Sequence, residues 1–269
     1  MSGPILVTGG TGTLGRVVAR LLLADGHQVR VLSRRPRPAD AGPAGLGSAG
    51  LGSAEWAVGD LRKGRGIGAA VAAATAIVHC ATGFGHGDVR ATASLIEEAR
   101  LESPHLVYIS IVGIDRVPLG YYKAKLEAER LIESSGLPWT ILRATQFHQL
   151  IERGCVALAA LPVLPVPART PIQPIDAAEV AERLAGLAPG PAAGRVPDMG
   201  GPQIRSVADL VRCYLRARGR RRPLWPVLLP GAAFAGIRRG SLLAPEHAVG
   251  RVTFDQFLAG RFPSGPAGP

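Results

Sequence analysis

Residues 4–35, PILVTGGTGTLGRVVARLLLADGHQVRVLSRR, decide the fold. Ile5–Thr8 is a short apolar run that reads as a buried parallel strand. A glycine loop follows. Then Leu14, Val17, Val18, Leu21 and Leu22 recur at helical intervals and lay one apolar stripe along a helix. Gly26 closes that helix, and Gln28–Ser33 alternates as a second strand. Strand, helix and strand form a crossover unit, which is right-handed almost without exception.

Inside this unit, Thr8-Gly-Gly-Thr-Gly-Thr-Leu-Gly15 sets glycines at 9, 12 and 15. Gly9 turns tightly off the strand, Gly12 has no Cβ to obstruct a pyrophosphate, and Gly15 lets the helix approach the sheet. The helix then turns its free N–H groups and positive dipole end toward the phosphates. The pattern follows a strand and opens an amphipathic helix, the context that gives it meaning. It predicts a dinucleotide site built from Gly9, Thr11, Gly12, Thr13, Leu14 and Gly15. The residues after the second strand bear on which dinucleotide. A site for a free ribose 2′-hydroxyl carries Asp or Glu about 20 residues past the loop, whereas this chain has Ser33, Arg34 and Arg35 there. A carboxylate would repel a 2′-phosphate, and a guanidinium grips one with paired donors. The expected cofactor is NADP, with NADPH preferred over NADH. Asp25 precedes the strand and does not compete.

Working outward, Trp56–Val58, Ala76–Cys80, Leu106–Ser110 and Trp139–Arg143 read as further strands. Helix signals lie at 67–74, 92–101 and 121–135. This alternation predicts an α/β Rossmann fold, a doubly wound parallel sheet with a small C-terminal substrate-binding portion. Beyond it come Pro-rich stretches over 162–174 and two capping boxes, Asp176 with Glu179 and Ser206 with Asp209. A short helix starting at Thr253 carries Phe254, Phe257 and Leu258. The expected organisation is an NADP-binding core over 1–146, a substrate-binding portion of the same domain over 147–262, and a flexible tail over 263–269. That second portion is too sparse in apolar residues to stand alone, and is expected to pack over the carboxyl edge of the sheet. Residues 36–54, with the duplication Ala44–Ser48 and Ala49–Ser53, read as a flexible surface loop.

A chain of 269 residues with 47% hydrophobic side chains can bury a sizeable core. The net charge of +11 is almost all arginine, with lysine only at Lys63, Lys123 and Lys125. Because those arginines are scattered, and Ala, Gly and Pro are inflated with them, compositional bias explains the charge better than a nucleic-acid partner. Five arginines crowd Arg216–Arg222, but no recognition helix or stacking pattern accompanies them, so a solvated helix end is the better reading and nucleic acid is not expected. The apolar run 223–237 reads as a lid or ordinary packing, with a membrane-surface contact as the alternative, and suggests an apolar substrate. Cys80, Cys155 and Cys213 show neither metal spacing nor a disulfide framework, so no metal is expected. Met1 leads straight into a strand without a basic, apolar leader, and the longest uncharged runs, 154–168 and 223–237, are short and broken by proline. The expectation is a soluble, cytosolic protein with no transmembrane segment and a small-molecule substrate. A homodimer is left open.

With these residues in view, the chain resembles the short-chain dehydrogenase/reductase superfamily in its atypical, NmrA-like branch. The resemblance rests on Thr8–Gly15, Gly59-Asp60-Leu61, Ile77–Thr82, Tyr108–Asp115, Tyr121–Lys125 and Leu137–His148. It implies that Asp60 and Leu61 lie by the adenine, and that Ala81 and Thr82 back the ribose. Tyr121-Tyr-Lys-Ala-Lys125 matches the family's Tyr-x-x-x-Lys. That spacing puts both side chains on one helix face, where an ammonium beside a phenol lowers the phenol pKa from about 10. Tyr121 is thus the candidate acid, with Tyr122 as a neighbouring rival, and Lys125 would also hold the nicotinamide ribose. Many members carry a Ser just past the fifth strand, and Ile111 stands there instead; Ser110 is one residue early and on the opposite strand face if alternation holds. Gln146, Phe147 and His148 follow the sixth strand and are expected at the substrate pocket, Phe147 as a wall and His148 more as a structural residue than as a catalyst. The leading expectation is an NADPH-dependent oxidoreductase acting on a small apolar carbonyl or quinone. The alternatives are a non-catalytic NADP(H)-sensing regulator, or an NADP-using epimerase or dehydratase.

Overall fold

The computed structural model describes residues 3–37, 51–83 and 86–262. The first copy of the duplication and the 263–269 tail lie outside the described residues. The chain divides into two compact units. One contains the residues up to Ser110 together with Gly120–Arg143 and Ala178–Pro197; the other contains Ile111–Leu119, Ala144–Ala177 and the residues from Asp198 onward. Residues 178–197 therefore group with the sheet although they follow residue 146, so a single cut at 146 does not describe the division.

The first unit is a sheet built from β1 (Ile5–Thr8), β2 (Val29–Ser33), β3 (Glu55–Val58), β4 (Ala76–His79), β5 (His105–Ile111) and β6 (Trp139–Ala144). Its order is β3-β2-β1-β4-β5-β6, and β9 (Gly194–Arg195) pairs beyond β6 as the seventh strand of the sheet. That strand has only two residues, too few for an apolar period to register in the sequence. β1 lies parallel between β2 and β4, and all four of its residues are buried. The chain passes from β3 at one edge back across β1 to β4, and this reversal is the switch point where open α/β sheets bind ligands.

The helices cover the sheet with the stripes the sequence carries. On α1 (Gly15–Ala24), Val18, Ala19 and Leu22 are fully buried, and burying a leucine side chain contributes roughly 2 kcal/mol. One apolar cluster joins Leu6, Ile77, Leu106 and Tyr108 to residues of α2 (Ile67–Val71), α3 (His86–Ala99) and α4 (Gly120–Glu133). On α4, Glu129 accepts two hydrogen bonds from Arg143 of β6, 2.8 Å from Nε and 2.5 Å from a terminal nitrogen, with both side chains buried. A pair satisfied this way fixes the helix against the strand, because removing either partner would leave a buried, uncompensated charge.

The second unit has its own apolar cluster, gathered from α5 (His148–Leu158), β7 (Leu164–Pro167), β8 (Pro171–Ile172), α7 (Val207–Ala217) and α9 (Phe254–Arg261). These contributors are far apart in the chain, so local composition understated the core they form together. β7 runs parallel to β11 (Leu224–Val227), and β8 pairs with β10 (Arg205–Ser206). Ser206 caps α7 by accepting from the Asp209 amide, as the sequence expected, and Thr253, where the sequence placed a helix start, forms a full capping box with Gln256 on α9. Between β11 and α9 lie α8 (Ala232–Arg238) and a 3-10 turn at Pro245–His247, and α6 (Ala177–Leu187) begins directly after Asp176. No helix among the described residues is long and apolar enough to cross a membrane.

Candidate dinucleotide and catalytic site

The glycine loop is shaped by contacts a side chain would forbid. Gly9 has φ +67°, and a Cβ there would stand 2.7 Å from the Ala81 amide nitrogen. A Cβ on Gly15 would run into the Gly9 carbonyl. A Cβ on Gly12 would meet only the Gly9 carbonyl oxygen, at 3.1 Å. Gly9 and Gly15 thus serve the loop's own closure, which the Gly12 amide completes by donating to Gly9 at 2.8 Å. No side chain caps the start of α1, so its first-turn amides suit an anion. This cradle, with Thr11 exposed and Leu14 buried, fits the pyrophosphate of a dinucleotide.

At the end of β2, Ser33 accepts from the Arg35 amide, and the Trp56 indole donates to the Arg35 carbonyl at 3.0 Å. That pins the backbone of the turn while the Arg34 and Arg35 side chains stay exposed. No carboxylate lies within residues 33–37. After β3, the Asp60 carboxylate accepts from the Arg62 amide at 2.9 Å and the Asp60 amide donates to the Arg65 carbonyl, closing a tight turn over buried Leu61. Thr8 joins the neighbouring strand ends, accepting from the Ala81 amide and hydrogen-bonded to His79 Nδ1 at 2.7 Å.

Behind Ala81 and Thr82 lies a group of buried polar side chains. Lys125 is 3% exposed, and its Nζ donates to the Tyr108 hydroxyl at 3.1 Å and to the Ile109 carbonyl at 3.4 Å. The Asp88 carboxylate stands 3.9 Å from the same Nζ. Asp88 accepts from the Thr82 hydroxyl at 2.9 Å and also from the Gly83 amide. The Tyr121 hydroxyl pairs with Thr82 Oγ1 at 3.2 Å. Because the single Thr82 hydroxyl proton goes to Asp88, Tyr121 is the donor in that pair. His79 stacks on the Tyr108 ring with centroids 5.4 Å apart.

The electrostatics of Tyr121 run opposite to the expectation. Burial, and secondarily Asp88, push its phenol up, against a downward pull from the Thr82 hydrogen bond. Lys125 spends its short contacts on Tyr108 and Ile109 instead. Burial lowers the Lys125 pKa, and the Asp88 carboxylate opposes that shift. Burial, aided by the Lys125 charge, drops His79 to about 3, and burial raises the Cys80 thiol to about 12, so both are neutral across the physiological range.

Ser110 lies two residues beyond Tyr108 on β5 and so shares its strand face. It is 2% exposed, and its hydroxyl has no partner among the described residues. Gln146, Phe147 and His148 belong to the second unit. There the Gln146 amide group is buried without a partner among the described residues, and Phe147 precedes α5. His148 is fully buried, 2.9 Å from the Val252 carbonyl and flanked by Phe254 and Phe257.

The sequence reading missed Asp88 and Tyr108. Tyr108 was accessible from strand alternation with Ser110, whereas nothing local marks Asp88.

A parallel sheet with its glycine loop at the switch point defines a Rossmann-type dinucleotide-binding protein. The chain belongs to the NAD(P)H-binding family, whose profile matches residues 9–182. It is 30% identical over 191 residues to the photosystem II assembly factor Ycf39 of Trieres chinensis, covering 66% of this chain and 57% of that one. The chain spans about half the length of the curated relatives it matches. Its fold is similar to that of an NADPH-dependent quinone oxidoreductase from Escherichia coli (TM-score 0.78, 16% identity, 96% of this chain and 99% of that one). It is similar also to a triphenylmethane reductase from Citrobacter sp. (TM-score 0.74, 17% identity, 96% and 99%). At these identities the likeness is one of fold, and it agrees with the atypical, NmrA-like dehydrogenase/reductase group to which the motifs pointed.

Proposed function

We propose that the chain is an NADPH-dependent oxidoreductase that reduces a small, apolar carbonyl or quinone. The observation that carries this reading is the Tyr121–Thr82–Asp88–Lys125 chain, which joins a protonated phenol and a buried lysine beside the end of β4, against which Gly9 packs. NADPH, when bound, supplies the hydride. The loop from Gly9 to Gly15 would hold the pyrophosphate, Arg34 and Arg35 would pair with a 2′-phosphate, and Asp60 and Leu61 would border the adenine. Ala81 and Thr82 would back the ribose, whose hydroxyls Lys125 would reach.

Tyr121 keeps its proton through neutral pH because burial raises its pKa. To act, it turns its hydroxyl from Thr82 to the substrate oxygen and gives up that proton as the carbonyl carbon gains the hydride; solvent then reprotonates the phenolate. Ser110 shares the Tyr108 face with an unpaired hydroxyl, which supports it as a donor in place of the residue that Ile111 replaces. Gln146 and Phe147 remain the proposed substrate contacts. The full burial of His148 between Phe254 and Phe257, 2.9 Å from the Val252 carbonyl, supports a structural role over a catalytic one.

A second reading is a non-catalytic NADP(H)-binding protein that acts through a partner. It is favoured by Ile111, by Lys125 bonding Tyr108 rather than Tyr121, and by the similarity to an assembly factor. NADPH consumption by wild type and Tyr121→Phe against a panel of quinones, aldehydes and ketones separates the two. The oxidoreductase reading expects turnover that falls at least about a hundredfold in the variant for carbonyls, and less for quinones. NADPH binding with no turnover across the panel would shift the assignment to the second reading.

A further inference from the structure

We infer that the outer face of the β7–β11 ribbon in the second unit docks on an anionic lipid bilayer, an inference independent of the chemistry above. Two parallel strands place alternate residues on opposite faces. Leu164, Val166 and Leu224 turn inward to the apolar cluster of this unit. The register Leu224↔Leu164 and Trp225↔Pro165 then puts Val163, Pro165, Trp225 and Val227 on the other face. That face is not covered among the described residues: Trp225 is 64% exposed and Val163 44%, and the ribbon is flanked by exposed Leu161 just before β7 (43%) and Leu228 just after β11 (62%). Exposed apolar side chains gathered in this way mark an interaction surface rather than scattered surface residues.

The charge along the sequence flanking both strands is of one sign. From Leu210 to Pro245 there are eight arginines and no Asp or Glu, and from Arg153 to Ile175 again only arginines. Residues 216–223 form an unbroken exposed run that leads directly into β11. The Leu164 amide donates to the Pro223 carbonyl at 3.0 Å, which sets Val163 beside the end of that arginine run. Arg218 is drawn over the Phe262 ring and Arg216 bonds the Cys213 sulfur. The Arg220, Arg221 and Arg222 side chains have no ion pair among the described residues.

An exposed indole beside aliphatic side chains, bordered by unpaired guanidinium groups, matches the chemistry of a membrane interface. The ring and aliphatic groups enter the headgroup boundary while the arginines bind lipid phosphates. A nucleic acid would use the arginines but leave Leu161, Val163 and Leu228 without a role, and one indole is a thin stacking platform. A second copy of this chain would bring two cationic faces together.

The test uses the full chain and vesicles of phosphatidylcholine, with and without phosphatidylglycerol. Co-flotation is expected only with the anionic vesicles and is expected to weaken steeply with salt. Arg220→Gln/Arg221→Gln/Arg222→Gln should weaken it more than about tenfold. Trp225→Ser should weaken it several-fold at unchanged salt slope, and both variants should keep the wild-type melting temperature. Four results would overturn the inference: no flotation at low salt, equal flotation with neutral vesicles, undiminished binding by the triple variant, or preferential capture of a mixed-sequence oligonucleotide. A dimer in sedimentation that Trp225→Ser abolishes, without vesicle binding, would assign the face to self-association instead.

Discussion

The two ends of the candidate site are made of different material. At the glycine loop the chain presents backbone: a left-handed Gly9, a loop closed by the Gly12 amide, and a helix start that no side chain caps. Around Lys125 of α4 it presents side chains, with buried Lys125, Asp88 and Tyr108 and the more exposed Thr82 satisfying one another. A backbone site needs only local shape, so a short stretch of sequence specifies it. A side-chain site needs partners delivered by separate elements, each a long way off in the chain. The first tolerates almost no added atoms, and the second almost no change of charge.

The largest effect expected from this contrast is at the loop. Gly15→Val would drive its Cβ into the Gly9 carbonyl, so NADPH affinity should fall by more than about a hundredfold. Calorimetric titration gives the loss, with far-ultraviolet circular dichroism to show that the sheet persists. An intact affinity would mean that phosphate is not held by this loop.

At the other end a single charge should matter more gently. Asp88→Asn removes the carboxylate that opposes the burial-driven drop in the Lys125 pKa. A lysine whose pKa falls loses its charge at lower pH. The alkaline decline of NADPH affinity, expected as Lys125 deprotonates below its ordinary 10.5, should therefore move to still lower pH in the variant. Titrations between neutral pH and the alkaline limb would show the move, and superimposable curves would remove Lys125 from the cofactor site.

The same contrast explains what the sequence disclosed. β1, the loop, α1 and β2 were legible because each carries a local signal: a buried run, spaced glycines, a stripe, an alternation. The α7 cap at Ser206 and the start of α9 at Thr253 were legible for the same reason. The seventh strand was not, having two residues and no period. The Tyr121/Lys125 spacing placed both residues on one helix but did not say what each would touch. A spacing four residues apart fixes a face, while the partner on that face comes from the sheet, here Tyr108 for Lys125 and Thr82 for Tyr121. Asp88 carried no signal at all, since its role comes from folding α3 against the end of β4.

The most direct test of the account is the affinity of NADPH and NADH for wild type and Arg34→Ala under one set of conditions. Wild type should prefer NADPH, and the variant should lose about tenfold or more in NADPH affinity, the worth of a charge-assisted contact. NADH affinity should change by less than about twofold, because no 2′-phosphate meets the guanidinium. Equal losses for both dinucleotides, or a wild type that prefers NADH, would contradict the assignment of the β2 turn as a 2′-phosphate site.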